Sequence, residues 1–190
     1  QCLQVLSGHE DDVNGVFWSP DGKLLATASD DCTVRLWEFE TGKLLAVLRG
    51  AEDWCDHAHF SPDGKRIACS SMDGRARIFR VADGELLLTL AEHGSSVKAL
   101  CWNHNGTRVC TASYDHFLRE FDAATGALVH EVTDYTMWSR FVSEIGSTGC
   151  YVTGSFDGAP LIWDPARGAE EIITAPTHGF GYVEPSPRRA

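Results

Sequence analysis

Hydrophobic residues in this chain come in short runs that turn-forming residues cut off. Val13 to Trp18 is one such run, closed by Pro20-Asp21-Gly22, and Leu24 to Ser29 is a second, closed by Asp30-Asp31. Thr33 to Phe39 alternates Val34 and Leu36 with polar residues and stops at Thr41-Gly42, after which Leu44 to Leu48 is a fourth. Runs of this length, patterned with period two and separated by tight-turn signals, predict β-strands joined as an antiparallel meander. One such sheet cannot bury both of its faces alone, so it needs a neighbour.

The neighbour is supplied by repetition. Trp37, Phe79, Phe121 and Trp163 fall at intervals of 42 residues. Six residues before them stand Asp31, Asp73, Asp115 and Asp157, and five after them Gly42, Gly84, Gly126 and Gly168. Ser19-Pro20-Asp21-Gly22-Lys23 recurs at Ser61 to Lys65 and weakens to Asn103-His104-Asn105-Gly106. Three markers in one register four times define a structural repeat, and four-stranded units stacked about an axis cover one another as the blades of a propeller. The repeats are assigned to residues 9–50, 51–92, 93–134 and 135–175. Residues 1–8 are read as the fourth strand of a preceding blade, because Cys2 to Leu6 aligns with Leu44 to Leu48 at the same offset. Residues 176–190 are read as the start of a fifth repeat or a flexible tail.

Gly8-His9, Ser19 to Gly22 and the segment TASDDCTVRLWE from Thr27 to Glu38 together resemble a WD repeat, and the resemblance runs from about residue 2 to at least residue 174. It implies an all-β propeller of about four four-stranded antiparallel blades within a larger ring of about seven. A small closed four-blade ring is the alternative. It also implies a hydrogen-bonded chain bracing each blade, which in the first repeat is His9, Thr27, Asp31 and Trp37. An indole has one donor and no acceptor, so a hydroxyl suits it, and that hydroxyl can in turn meet an imidazole fixed by a carboxylate. In the second repeat Ala51, Cys69 and Phe79 leave only Asp73. The third keeps His93, Thr111 and Asp115 but has Phe121, and the fourth keeps Thr153, Asp157 and Trp163 with Tyr135 at the histidine place. Blade two is therefore expected to rely on packing and its Asp turn alone, and loss of Asp31 to cost about 1–2 kcal/mol more than loss of Asp73. Pro160 within a strand, and Glu120 where the equivalents are Leu36, Ile78 and Ile162, are expected to distort the last two blades.

Composition narrows the function. The 190 residues carry 16 Lys and Arg against 27 Asp and Glu, a formal net charge of −11, which disfavours a nonspecific grip on nucleic acid. No apolar run approaches the ~20 residues of a membrane span. Seven cysteines, an odd number without a C-x-x-C pair, point to a reducing intracellular compartment, cytoplasmic or nuclear. His9, Thr27 and Asp31 have the composition of a nucleophile–base–acid trio, but their recurrence with the repeat favours bracing over catalysis. His57-Ala58-His59 beside Asp56 lacks an evident third metal ligand, and no glycine-rich phosphate loop is present. No catalytic residue, metal or cofactor is assigned.

Two sets of positions are expected to face a partner. One precedes each turn aspartate: Asp30, Met72, Tyr114 and Phe156. The other leads into each first strand: Glu10, Asp12 and Asn14; Glu52, Trp54 and Asp56; Gly94, Ser96 and Lys98; Thr136, Trp138 and Arg140. The resemblance implies that such places bind partners, and exposed aromatic residues with flanking charge suit an interface. The expected function is a non-catalytic protein–protein scaffold within a multiprotein complex. The expected ligand is a peptide or loop with basic residues beside an apolar anchor, oriented by acidic groups in repeats one and two and by Lys98 and Arg140 opposite. A hydrolytic or sugar-processing propeller enzyme, and a structural array whose binding surface lies on other blades, are the alternatives.

Overall fold

In the computed structural model, residues 2, 4–91, 93–132, 139–155, 160–165 and 168–172 are described. They form sixteen strands in four antiparallel sheets, each with its strands side by side in chain order. Blade one holds β1 (Val13–Trp18), β2 (Leu24–Ser29), β3 (Val34–Glu38) and β4 (Leu44–Leu48). Blade two holds β5 (Cys55–Phe60), β6 (Arg66–Ser71), β7 (Ala76–Arg80) and β8 (Leu86–Thr89). Blade three holds β9 (Val97–Trp102), β10 (Arg108–Ser113), β11 (Leu118–Asp122) and β12 (Leu128–Val132). Blade four holds β13 (Ser139–Glu144), β14 (Tyr151–Ser155), β15 (Leu161–Asp164) and β16 (Gly168–Ile172). The first strands sit side by side, β1 on β5, β5 on β9 and β9 on β13. This is a run of propeller blades about an axis lined by first strands.

The core lies between blades. One apolar cluster joins Ala26, Leu36 and Leu48 to Ala58, Phe60 and Ile67 across the seam of blades one and two. A second joins Ala68, Ile78 and Leu90 to Leu100, Trp102 and Phe121. A third joins Ala99, Cys110 and Leu118 to Val142, Leu161 and Trp163. Among the described residues, none gives blade one such cover on its other side. Trp18 is 53% exposed, whereas Phe60 and Trp102, its equivalents one and two repeats on, are each 4% exposed. Trp18 meets Phe39 edge to face, with ring centroids 4.6 Å apart. Gln4 and Leu6 lie against Gly42 as Ala46 and Leu48 lie against Gly84, and as Leu88 and Leu90 lie against Gly126. Gln4 and Leu6 thus lie where a preceding blade would place its fourth strand, although the described residues of this segment form no ladder.

Glu120 does not distort its blade. β10 and β11 pair without interruption from Arg108↔Asp122 to Ala112↔Leu118. The register shift beside Glu120 on the β12 side also occurs between Leu36 and Trp37 and between Ile78 and Phe79, so it belongs to the repeat. Pro160 does act on its strand: β15 starts at the next residue and pairs with β14 at three positions, where β3 and β2 pair at five.

Candidate functional site

In blades one to three the turn aspartate gathers donors beneath the loop that leads into its blade. In blade one His9 Nδ1 lies 2.7 Å from Asp31 Oδ2 and His9 Nε2 lies 2.6 Å from Thr27 Oγ1. Trp37 Nε1 donates to the same hydroxyl over 2.9 Å. Thr33 and the Glu10 amide also donate to Asp31. Burial disfavours the Asp31 charge, yet the bonds from Thr33, His9 and Glu10 outweigh it and hold the carboxyl well below its usual range. Blade three repeats the arrangement, with His93 at 2.9 Å from Asp115 and 2.8 Å from Thr111. Against the opposing effect of burial, His93, the Gly94 and Phe117 amides and Arg119 hold Asp115 down at about 2. Phe121 offers no donor, and the Thr111 hydroxyl donates to the Arg119 carbonyl over 3.3 Å.

Blade two corrects the expectation that it has only packing and a turn. Arg77 Nη2 lies 2.8 Å from Asp73, with both side chains about 95% buried. The Glu52 and Arg75 amides donate to the same carboxylate over 2.9 Å each. Arg35 and Arg119 stand at the equivalent positions, 3.4 Å from Asp31 and 2.8 Å from Asp115. An arginine four residues after the turn aspartate in three repeats is the signal that the sequence reading passed over. In blade four Thr153 and Trp163 are buried, but the Thr153 hydroxyl has no hydrogen-bond partner. Asp157 and Tyr135 lie outside the described residues.

The candidate partner positions converge on the same end of the blades. In blades one to three the loop leading into the blade is tied to its turn tip by a backbone bond: Asp30 N to Asp12 O at 2.9 Å, Met72 N to Trp54 O at 2.8 Å and Tyr114 N to Ser96 O at 3.0 Å. The two sets of positions therefore form one rim. Each first strand also carries one extra residue relative to its partner. Asn14, Asp56, Lys98 and Arg140 are skipped in pairings that run Val13↔Ser29 then Gly15↔Ala28, Cys55↔Ser71 then His57↔Ser70, Val97↔Ser113 then Ala99↔Ala112, and Ser139↔Ser155 then Phe141↔Gly154. Such a bulge re-aims the side chain of the extra residue. Asn14 Nδ2 donates to Asp30 and to the Cys55 carbonyl, at 2.5 and 3.0 Å. Lys98 Nζ lies 2.9 Å from Asp56 and 5.3 Å from the centre of the Tyr114 ring. Arg140 Nε donates to the Tyr114 hydroxyl over 3.2 Å.

These contacts correct the expected polarity. Asp56 and Lys98 were placed on opposite sides of the mouth, but they neutralise each other across adjacent blades. Burial raises the Asp56 pKa and Lys98 opposes that rise. Glu10, Asp12 and Glu52 remain exposed, with Asp30 partly buried. Trp54 is 47% exposed, and Met72 and Tyr114 are half-buried beside it on the rim. Trp138 and Phe156 lie outside the described residues. His57 packs on Phe17, ring centroids 4.4 Å apart, and burial together with neighbouring His59 holds its pKa down at about 3. Among the described residues no three His, Cys, Asp or Glu side chains converge to hold a metal ion.

The WD domain, G-beta repeat family matches residues 1–38, 42–80 and 84–122. The chain belongs to the WD-repeat family. Among curated relatives, this WD-repeat chain is 63% identical over 35 residues to "Nucleoporin Nup37" of Drosophila melanogaster, covering 18% of the chain and 11% of that protein. It is 50% identical over 38 residues to "Probable cytosolic iron-sulfur protein assembly protein 1" of Candida glabrata, covering 20% of the chain and 11% of that protein. A solved structure, "Structure of U3-55K", superposes with a TM-score of 0.84 at 21% identity. That match covers 89% of the WD-repeat chain and 54% of the solved one, so the likeness is one of fold and the chain spans about half of it.

Proposed function

We propose that this WD-repeat chain is a non-catalytic interaction module of an intracellular multiprotein complex, and that its rim holds a peptide or loop of a partner protein. The observation that carries this reading is Trp54. Its indole stands half exposed at the mouth, with its backbone pinned to Met72, so it presents a large apolar surface at little entropic cost. Exposed Glu10, Asp12 and Glu52 on the same rim favour basic residues next to the partner's apolar anchor. The relatives support an intracellular setting, since their names are those of a nucleoporin and of a cytosolic assembly protein. Catalysis by the His9 set is disfavoured by geometry. His9 joins Asp31 and Thr27 as a base would join an acid and a nucleophile, but the Thr27 hydroxyl is buried and accepts from the buried Trp37 indole, so no substrate reaches it.

The test is quantitative affinity purification with the wild-type chain and a Trp54→Ala/Met72→Ala variant whose folding is verified by circular dichroism. The variant is expected to lose at least tenfold in partner recovery. Recovery of the same partners in the same amounts would move the functional surface elsewhere.

A further inference from the structure

The seam between blades three and four differs from the other two in its interior, whereas the Asp56–Lys98 pair of blades two and three stands at the rim. At three positions that are apolar in every earlier blade, it carries ionisable groups. Glu120 stands where blades one and two have Leu36 and Ile78, Tyr151 where the others have Leu25, Ile67 and Val109, and Glu144 where they have Trp18, Phe60 and Trp102. These substitutions answer one another across the seam. Tyr151 of blade four donates its hydroxyl to Glu120 of blade three over 2.7 Å, in a buried contact. Glu144 of blade four accepts from the His104 amide of blade three over 2.5 Å and lies 2.9 Å from His104 Nδ1.

Both carboxylates are buried, and each has an outer imidazole partner that water reaches. His130 Nδ1 is 2.8 Å from Glu120, with side-chain exposures of 41% and 7%. The corresponding exposures for His104 and Glu144 are 43% and 5%. The seam between blades two and three is closed differently. There Trp102 donates its indole N–H to the His59 carbonyl, Arg66 donates to the Gly106 and Ala123 carbonyls, and its guanidinium lies 4.7 Å from the Trp102 ring centre.

We propose that the seam between blades three and four is the conformational joint of the array, at which blade four undocks as a unit while blades one to three stay packed. Opening an apolar seam exposes surface that water receives poorly. Opening this one also exposes the apolar cluster of Ala99, Leu118, Val142 and Trp163, but part of its buried surface is two carboxylates and a phenol that water satisfies, so the same separation costs less. The closed form is nevertheless specific. A docking that misplaced Tyr151 or His104 would leave a buried carboxylate short of donors, which is strongly unfavourable. Among its described residues blade four also has an unpartnered Thr153 hydroxyl and a three-pair ladder between β14 and β15. Local opening concentrates where such ties are few.

The test is native-state hydrogen exchange of the whole chain, resolved by strand and measured with increasing urea. The amides of β13–β15 are expected to exchange as one group, at least tenfold faster than those of β2, β3, β6 and β7. Tyr151→Phe, which removes one donor from Glu120, is expected to speed the β13–β15 group about tenfold more and leave blades one and two unchanged. The paired replacement Glu120→Leu with Tyr151→Val, which installs the residues of blades one and three at these positions, is expected to slow that group to the wild-type rate or below. Exchange of β13–β15 together with all other strands in the wild-type chain overturns the proposal, whatever the variants do. So does a Tyr151→Phe effect spread evenly over four blades.

Discussion

Blades one and two share a backbone but hold the same carboxylate by different chemistry. Asp31 is reached by an imidazole, a threonine and two amides, with Arg35 at the margin of contact. Asp73 has no imidazole and is held by Arg77 and two amides. The fold thus demands an acceptor at the turn and is indifferent to which donor answers it. The energetic consequences are not equivalent. An imidazole can release a proton when its partner is lost, whereas a guanidinium stays charged.

The largest difference is expected at that pair. Asp73→Ala takes from the buried Arg77 guanidinium a carboxylate 2.8 Å away and should cost about 3–5 kcal/mol, more than Asp31→Ala, which strands the buried Arg35 as well but across a looser 3.4 Å contact, reversing the order expected from the number of network residues. Urea denaturation of the two variants measures it, and equal losses would mean that Arg77 finds other partners. Next comes the first strand. Phe60→Ala opens a cavity between blades and should cost about 3–5 kcal/mol, whereas Trp18→Ala at the equivalent exposed position should cost less than about 1 kcal/mol by the same measurement.

A smaller contrast lies in the turn itself. Gly74 has φ +83° and a Cβ there would stand 2.8 Å from the His93 carbonyl, so Gly74→Ala should cost about 2 kcal/mol or more. Cys32 occupies the same turn position with φ 62°, and Cys32→Gly should stabilise by up to about 1 kcal/mol. Thermal melts of both variants read opposite signs if the left-handed backbone is what these sites require.

The smallest and most diffuse difference is in pH dependence. His57 of blade two is held at about 3, below the ordinary 6.5. The folded form therefore binds fewer protons than the unfolded chain, and stability is lost as pH falls from about 6.5 towards 3. The lowered carboxylates Asp31, Asp73 and Asp115 act in the same direction, but only below about 4. His57→Phe should reduce the loss between pH 6.5 and 4.5, the remainder coming from His59 and His93, which burial also holds below the ordinary value, and should leave the steeper loss below 4, as read from urea midpoints across that range.

Strand positions and blade number were legible because the turns recur as Ser-Pro-Asp-Gly and the apolar runs recur at one spacing. The chain of His9, Thr27, Asp31 and Trp37 was legible through the resemblance to a WD repeat, with donors and acceptors that match by residue type. Arg77 was missed because a charged residue in a strand reads as a solvent-facing one, and nothing local shows that it is buried. The bulges were invisible for a different reason. A bulge is a count of one strand against another, and Asn14, Asp56, Lys98 and Arg140 look like ordinary strand residues until both strands are seen. Glu120 read as a defect because the residue that answers it, Tyr151, lies 31 positions away on another blade.

The four bulges have an evolutionary consequence. A residue that takes no part in a ladder is free of the demands that strand pairing makes on shape and branching. Asparagine, aspartate, lysine and arginine occupy the site in turn while the strands around it pair alike. A substitution there is felt by the side chains across the mouth, not by the sheet that carries it. The lining of the opening can accordingly drift in charge and size over generations while the frame that displays it is kept under selection.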